Sequence, residues 1–260
     1  MSPAYGELRQ ASTHAAVLLC DNPSTMTLEG TNTWVLRAPG ERGCVVVDPG
    51  PDDEAHLQRV AATGQVAAIV LTHRHADHAA GARRFAEITG AGVRAVDPTL
   101  RLGSEGLADG DVVAAAGVEL RVLATPGHTS DSVCLFLHGD GESGSLLTGD
   151  TVLGRGTTVI DHPDGRLGDY LTSLRRIAAL APGASVLPGH GTELDDAALV
   201  AGRYLAHREE RLAQVRAAVV ELGPASTARQ VVERVYADVD EALWEAAELS
   251  VRAQLAYLRG

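Results

Sequence analysis

The sequence predicts an α/β fold in which strands and helices alternate before a C-terminal segment that is purely helical. Short apolar runs, several of them β-branched and bounded by Gly, Pro or Asp, indicate strands over the first 195 residues. Helical segments lie between them and end in Gly or Pro-Gly, which are usual stop signals. This interleaving is typical of a mixed α/β core.

The predicted elements follow one another without a repeat or a low-complexity tract. Strands are predicted at residues 16–20, 31–37, 44–48, 67–71, 93–96, 119–124, 132–137, 145–149 and 184–188. Helices are predicted at residues 53–64, 77–90 and 168–183.

No strand signal follows residue 196. A long amphipathic helix is predicted from 196 to the break at Gly223-Pro224. A second helix is predicted over 226–236, where Ser226 or Thr227 can serve as the N-cap, and a third over 238–260. We therefore predict a catalytic domain of residues 1–196 and a helical subdomain of residues 197–260.

Composition and charge narrow the function classes. The formal net charge of the 260 residues is −12, and an acidic surface repels nucleic acid unless its cations are segregated into a patch. No apolar run approaches the roughly 18 residues needed to span a bilayer, so no membrane contact is expected. The N-terminus lacks the features of a signal peptide, and the three cysteines form no C-x-x-C pair. We expect a cytoplasmic protein.

Potential metal ligands cluster directly after one predicted strand. The run VLTHRHADHAAG (70–81) contains His73, His75, Asp77 and His78. Alternation along a strand points His73 and His75 the same way, and the turn into a helix directs Asp77 and His78 to a second point. Imidazole and carboxylate are the ligands that Zn²⁺ prefers, so this spacing indicates two metal ions.

Three further motifs have the same form, in which a short strand and a small-residue turn precede one ligand-type residue. They place His128 in TPGHT, Asp150 in TGD and His190 in LPGH. Residues that follow successive strands converge at one edge of a sheet, so the three are expected to join the first cluster.

These motifs, HRHADH (73–78), TPGHT (125–129), TGD (148–150) and PGH (188–190), resemble those of the metallo-β-lactamase fold superfamily. The resemblance covers residues 1 to about 195 and implies an αββα sandwich with two divalent metal ions, which activate a bridging hydroxide for hydrolysis. It assigns His73, His75 and His128 to one ion, Asp77, His78 and His190 to the other, and Asp150 to both.

The same resemblance gives four residues further roles. It makes Asp77 and Asp150 the catalytic carboxylates as well as ligands. It places Asp48 outside the ligands, where its carboxylate orients an imidazole, and Thr72 beside it through its hydroxyl. Zinc is the expected metal from the ligand types, with manganese and iron as alternatives.

A closer resemblance links three segments to the β-lactamase-like endoribonuclease group, whose members carry a C-terminal winged helix. The segments are NPSTMTLEGTNTWVL (22–36), LTGDTVLGRGTTVI (147–160) and YLAHREER (204–211). The chain stops at residue 260 without the β-hairpin that forms a wing, so the wing is expected to be either absent or removed. The arginines of the tail are interleaved with glutamates, which is more typical of an ion-paired helix surface than of a phosphate track.

Several functions remain open at this point. The resemblance implies a metallohydrolase, which can act as an endoribonuclease-like phosphodiesterase, with single-stranded RNA as a partner, or as a thioester or small-ester hydrolase of the glyoxalase II kind. β-Lactamase activity is disfavoured, because antibiotic-degrading enzymes are typically exported and lack this tail. A metal-bound scaffold that binds protein or nucleic acid through its helices is the alternative of another class. The sequence does not determine the oligomeric state.

Overall fold

Two β-sheets pack face to face in the computed structural model, which describes residues 4–260; residues 1–3 of the predicted catalytic domain lie outside the described residues. Alternate residues of both sheets form one apolar layer between them, including Val45 and Val47 from one sheet and Leu120 and Leu135 from the other. Alternation in a strand sends successive side chains to opposite faces, so Cys44 and Val46 pack outward against helices.

The first sheet has six strands, arranged in the order in which they occur in the chain. They are β1 (Leu8–Gln10), β2 (Ala15–Leu19), β3 (Asn32–Leu36), β4 (Gly43–Val47), β5 (Gln65–Val70) and β6 (Val93–Arg94). Strands β1 to β4 pair antiparallel, whereas β4, β5 and β6 pair parallel.

The second sheet has five strands in the reverse spatial order, β11-β10-β9-β8-β7. They are β7 (Val112–Ala115), β8 (Val118–Ala124), β9 (Val133–Leu137), β10 (Ser145–Gly149) and β11 (Ser185–Pro188). Only β10 and β11 pair parallel.

Residues 4–260 also form seven α-helices, four of which cover the outer faces of the two sheets. They are α1 (Glu54–Ala61), α2 (Ala76–Ala79), α3 (Ala82–Thr89), α4 (Leu167–Ala178), α5 (Ala197–Leu222), α6 (Ala228–Val235) and α7 (Trp244–Arg259). Helices α1 and α3 pack on the first sheet, and α4 packs with the start of α5 on the second. The αββα sandwich that the resemblance implied is confirmed.

The sequence missed two strands and merged two helices. Strand β1 is three residues long and fully exposed, so it carries no apolar signal. Strand β7 pairs with β8 through a tight turn at Ala116 and Gly117, both with positive φ. The helix predicted over 77–90 is wrong as a single element: the Gly81 N–H donates to the Gly50 carbonyl, 3.0 Å away, and the chain restarts there as α3.

The C-terminal helices pack mainly on one another. Val215, Val231 and Val251 contribute, one from each helix, to a separate apolar cluster of α5, α6 and α7. Thr227 caps α6, and its hydroxyl and the Gln230 side chain form a reciprocal capping box. Residues 189–260 contain no strand, and no helix among residues 4–260 is long and apolar enough to cross a bilayer.

Loss of the Thr227 cap is expected to destabilise the helical tail. Replacing Thr227 with Ala leaves an N-terminal N–H of α6 without its acceptor, which typically costs about 1 kcal/mol. Urea unfolding monitored by circular dichroism measures the change, and Thr227→Ser, which keeps the hydroxyl, serves as the control. Equal stability of the two variants would contradict the capping assignment.

Candidate metal centre

Seven predicted ligands meet at one edge of the sandwich. Each follows the end of a strand: His73, His75, Asp77 and His78 follow β5, and His128, Asp150 and His190 follow β8, β10 and β11. The strands bring them together because β5 belongs to one sheet and the other three belong to the facing sheet.

The first group consists of three imidazoles that converge on one point. His75 Nδ1 lies 3.1 Å from His73 Nε2 and 3.0 Å from His128 Nε2. Asp150 Oδ2 is 3.6 Å from His128 Nε2. These four side chains place one donor atom each within a single small volume.

The second group lies against the first. His78 Nε2 and His190 Nε2 are 3.2 Å apart, and Asp77 Oδ2 lies 3.1 Å from His190 Nε2. Asp150 reaches this group as well, since its Oδ1 is 3.4 Å from His78 Nε2 and its Oδ2 is 3.4 Å from His190 Nε2. One carboxylate therefore touches both groups.

These donors fit two divalent cations. Two ligand atoms bound at 2.0–2.1 Å to one tetrahedral zinc ion lie about 3.3 Å apart, which matches the nitrogen–nitrogen contacts of both groups. Asp150 Oδ1 is buried and has no hydrogen-bond partner among the described residues. A buried carboxylate oxygen without a donor is costly, and a bridging cation satisfies it.

Each of the five imidazoles contacts an acceptor through its outer nitrogen. The pairs are His73 Nδ1 with Thr72 Oγ1 (3.0 Å), His75 Nε2 with Asp161 Oδ2 (3.2 Å), His78 Nδ1 with Asp48 Oδ2 (2.9 Å), His128 Nδ1 with the Val159 carbonyl (2.6 Å), and His190 Nδ1 with the Gly30 carbonyl (3.0 Å). Placing the proton on the outer nitrogen leaves the inner lone pair free, which is the tautomer that a metal needs.

Asp48 lies on the outer side of the potential ligands. Its carboxylate accepts hydrogen bonds from the Thr72 N–H at 2.8 Å and the Thr72 hydroxyl at 2.6 Å, and it contacts His78. The Thr72 hydroxyl in turn faces His73. Asp48 and Thr72 thus connect one imidazole of each group through a single buried network.

Asp161 is a partner that the sequence did not reveal. It lies 86 residues from His75 in the chain, in an irregular segment without a ligand motif. Arg74 contacts Asp161 at 3.7 Å and Asp164 at 2.9 Å, and Asp164 accepts from the N–H and hydroxyl of Ser130. These contacts hold the segment against the ligand edge.

Two glycines allow the ligand segments to approach closely. A Cβ on Gly189 would lie 2.7 Å from both Asp150 Oδ1 and His78 Cε1. A Cβ on Gly149 would lie 2.5 Å from the Thr72 hydroxyl, and the backbone there has a φ of +47°. Both positions therefore need glycine for space, and Gly149 needs it for its backbone conformation as well.

Burial controls the protonation of the first group. It lowers the pKa of His73 well below the ordinary value for histidine, and neighbouring imidazoles, His78 foremost, add to the effect. Burial also lowers the pKa of His128. Both imidazoles are therefore neutral at pH 7, the form in which they bind metals.

The second group is governed by Asp150. Burial alone would lower the pKa of His78 and His190, but nearby carboxylates together outweigh it. Asp150 and Asp48 raise the pKa of His78, and Asp150 and Asp77 raise that of His190 to about 9. Burial likewise raises the pKa of Asp150, but His190 and His78 outweigh it and hold that pKa well below the usual range. Binding of a cation between them displaces protons from these imidazoles.

The other five histidines lie outside the ligand groups. His56 contacts the Thr33 hydroxyl at 2.9 Å and is buried, and His14 lies beside Asp140 at 3.4 Å. His207 lines a cavity next to the cluster, a position that the sequence did not indicate.

A cavity of about 440 Å³ opens beside His128 and Asp150. One part of its wall is apolar and comes from Met26, Leu28, Leu153, Val239, Leu243, Ala246 and Ala247. The other part comes from the loop 155–159 and from α5, which contribute Arg155, Arg208 and Arg211. The C-terminal helices therefore form part of the same cavity as the predicted ligands.

The sequence resembles known families along most of its length. Residues 26–190 match the Metallo-beta-lactamase superfamily, and residues 227–259 match the Beta-lactamase associated winged helix domain. The winged-helix resemblance is thus confirmed for the helical tail. The histidine and aspartate groups described above are consistent with the metal binding that is common in this superfamily.

Individual relatives agree with these matches. A Beta-lactamase-like protein 2 homolog of Drosophila melanogaster is 32% identical, over 96% of this chain and 89% of the relative. An Atrochrysone carboxyl ACP thioesterase of Aspergillus fumigatus is 31% identical, over 82% of this chain and 67% of the relative. The crystal structure of a Beta-lactamase domain protein from Burkholderia ambifaria superposes with a TM-score of 0.81 at 25% identity, covering 100% of this chain and 89% of that one.

Loss of the shared carboxylate is expected to reduce metal binding at both groups. Asp150→Asn keeps the shape of the side chain but removes its charge, so metal affinity should fall by more than the roughly 10–100-fold typical of an outer partner. Elemental analysis of purified protein measures the metal content. The exposed Asp52→Asn serves as the control, and an unchanged metal content in Asp150→Asn would refute the shared-ligand assignment.

Asp161 is expected to tune metal affinity through His75. Asp161→Ala removes the acceptor on the outer nitrogen, and affinity should fall by roughly 10–100-fold. Competition with a chromophoric zinc chelator measures the change. Asp164→Ala is the matched variant in the same loop, because Asp164 contacts Arg74 and Ser130 but no ligand. Equal losses of zinc affinity in both variants would mean that the effect comes from disorder of the loop and not from the contact between Asp161 and His75.

Proposed function

Because the chain belongs to the metallo-beta-lactamase superfamily of metal-dependent hydrolases, we propose that it hydrolyses thioesters of apolar acyl groups at a two-metal centre. The observation that carries the proposal is the cavity of about 440 Å³, largely apolar on one wall, that opens directly beside Asp150 and His128. Its size lies in the range of small-molecule sites.

We assign the two metal ions to the donor groups described above. His73, His75 and His128 hold one ion, Asp77, His78 and His190 hold the other, and Asp150 contacts both. Zinc is the proposed metal, since imidazole nitrogen and carboxylate oxygen suit it, while manganese or iron fits the same donors. When bound, such a metal pair lowers the pKa of water and polarises the substrate carbonyl.

The protein's own groups position the reactants and move a proton. Asp77 makes its close contacts with His78 and His190 through Oδ2, which leaves Oδ1 available. About a quarter of the Asp77 side chain is exposed, whereas Asp150 is 11% exposed. Asp77 is therefore the carboxylate placed to accept a proton from the attacking water, and Asp150 keeps the two groups at a fixed separation.

The leaving group also favours a thioester. A thiol has a pKa of about 8.5, so a thiolate departs at neutral pH without a strong acid. The alkoxide released from a phosphodiester is far more basic and needs a proton donor. The sequence relative named as an acyl carrier protein thioesterase, which matches 82% of this chain, adds support.

Phosphodiester hydrolysis is the second candidate. Arg155, Arg208 and Arg211 line the cavity, and the tail matches a winged helix, a fold that can bind nucleic acid. Against it, arginines of the tail surface pair with glutamates, as in Arg234–Glu221 at 3.0 Å. These ion pairs, together with the net charge of −12, weaken the electrostatic attraction expected for a phosphate backbone.

A scaffold without catalysis is less well supported. A module that only needs structural metal has no use for a cavity leading to its ligands, because structural sites are closed. A cytoplasmic setting agrees with Cys20, Cys44 and Cys134, which are free and buried.

A substrate panel separates these functions. Zinc-loaded protein is expected to hydrolyse a pentanoyl thioester at least about a hundredfold more efficiently than a nitrophenyl phosphodiester or single-stranded RNA, a ratio within the reach of pocket selectivity. Thiol release is followed with a chromogenic thiol reagent. A chelator should abolish the activity and added zinc restore it, with Asp150→Asn as the inactive control. Faster cleavage of RNA than of the thioester would reverse the order of the two candidates.

A further inference from the structure

One arginine in the cavity wall is buried without an ionic partner. Arg208 on α5 is 4% exposed, and it is the only buried arginine among residues 4–260. Its contacts within that part of the chain are to a backbone carbonyl and an aromatic ring and include no carboxylate, and its Nε has no hydrogen-bond partner there. A guanidinium withdrawn from water normally has a carboxylate beside it, because desolvating an unpaired charge is costly.

The surroundings of Arg208 fix its position but do not neutralise its charge. Its Nη2 donates to the Thr158 carbonyl, and its guanidinium lies 5.3 Å from the centre of the Tyr170 ring. Thr158 is adjacent to Val159, whose carbonyl contacts His128. The guanidinium is therefore held close to the metal centre by neutral groups only.

A second arginine faces the same cavity one turn further along α5. The Arg211 guanidinium lies 4.4 Å from the centre of the Tyr236 ring and donates to Gln214 and to the Val235 carbonyl, again without a carboxylate. Burial lowers the pKa of the neighbouring His207, and Arg208 and Arg211 lower it further. This end of the cavity is thus electropositive in a protein whose net charge is −12.

We infer that Arg208 and Arg211 bind a carboxylate of the substrate, so that the enzyme selects acyl thioesters whose acyl group carries an acid at its far end. The inference rests on the proposed thioester hydrolysis and adds a specificity element to it. A guanidinium edge with a free Nε matches the two oxygens of a carboxylate, and the apolar wall between this end and the metal centre matches a hydrocarbon body.

Binding of dicarboxylates tests the inference without any turnover. Adipate and its relatives of four to eight carbons are compared by calorimetry with monocarboxylates of equal length, on zinc-loaded protein. Both classes can place one carboxylate at the metals, so the difference between them reports the second contact. The best dicarboxylate is expected to bind roughly tenfold or more tightly than its monocarboxylate, as a charge-assisted contact predicts.

Variants assign that difference to the two arginines. Arg208→Lys keeps the charge but removes the planar pair of donors, and Arg211→Met removes the charge at a half-buried position. Each should reduce the dicarboxylate advantage by at least about fivefold. Arg216→Met, an exposed position on the same helix, should leave it unchanged. Thermal unfolding establishes that each variant is folded, and if Arg208→Lys is not, Arg211→Met alone decides.

The outcomes separate this inference from the proposed function. If pentanoyl thioester is hydrolysed but dicarboxylates show no advantage, the inference is overturned and the thioesterase proposal stands. If no thioester is hydrolysed but dicarboxylates bind through the arginines, the anion site stands and the reaction must be sought elsewhere. An advantage that survives in both cavity variants also overturns the inference.

Discussion

The Asp150 carboxylate is the group on which the arrangement of the site depends. It lies within 3.6 Å of three imidazoles that belong to two donor groups, yet its Oδ1 receives no hydrogen bond. In the protein alone this charge is balanced by protonated His78 and His190, and cations that occupy both groups would take over that role. The superfamily to which the chain belongs supplies that condition, since its members commonly bind metals.

The sandwich holds the donors at this separation by connecting its two sheets at the ligand edge. The Trp34 indole donates to the Pro188 carbonyl at 3.1 Å, and the Asn32 N–H donates to the Gly189 carbonyl at 2.8 Å. Both bonds run from β3 of the first sheet to the end of β11 in the second. His190 is thereby held near the ligands that follow β5, and a shift of one sheet against the other would pull apart the ligands within each group.

The helical tail completes a cavity beside a centre that the sandwich builds alone. All seven proposed ligands precede residue 191, whereas Arg208, Arg211, Val239 and Ala247 come from α5 and from the segments beyond it. The sandwich would supply the centre that activates water, and a separate element shapes the binding cavity. This separation suits a fold on which many different hydrolytic reactions occur. In this chain the tail would determine which substrate reaches the metals.

The sequence by itself determined the fold class, all nine of the strands it indicated, and the seven side chains that converge. These depend on local properties: apolar alternation marks a strand, and a ligand-type residue after a strand end lies at the sheet edge where others also end. The resemblance to the superfamily also indicated Asp48. Strand β1 escaped prediction because its three residues are exposed and carry no apolar pattern.

Only the tertiary structure decided what surrounds the ligands. The carbonyls of Gly30 and Val159 orient two imidazoles, but a carbonyl has no residue signature, and Asp161 meets His75 only through the path of an irregular loop. Arg208 looks in sequence like one more charge in an ion-paired helix, YLAHREER. Its burial beside the cavity arises from the packing of α5 on α4 and α7, which brings together positions far apart in the chain.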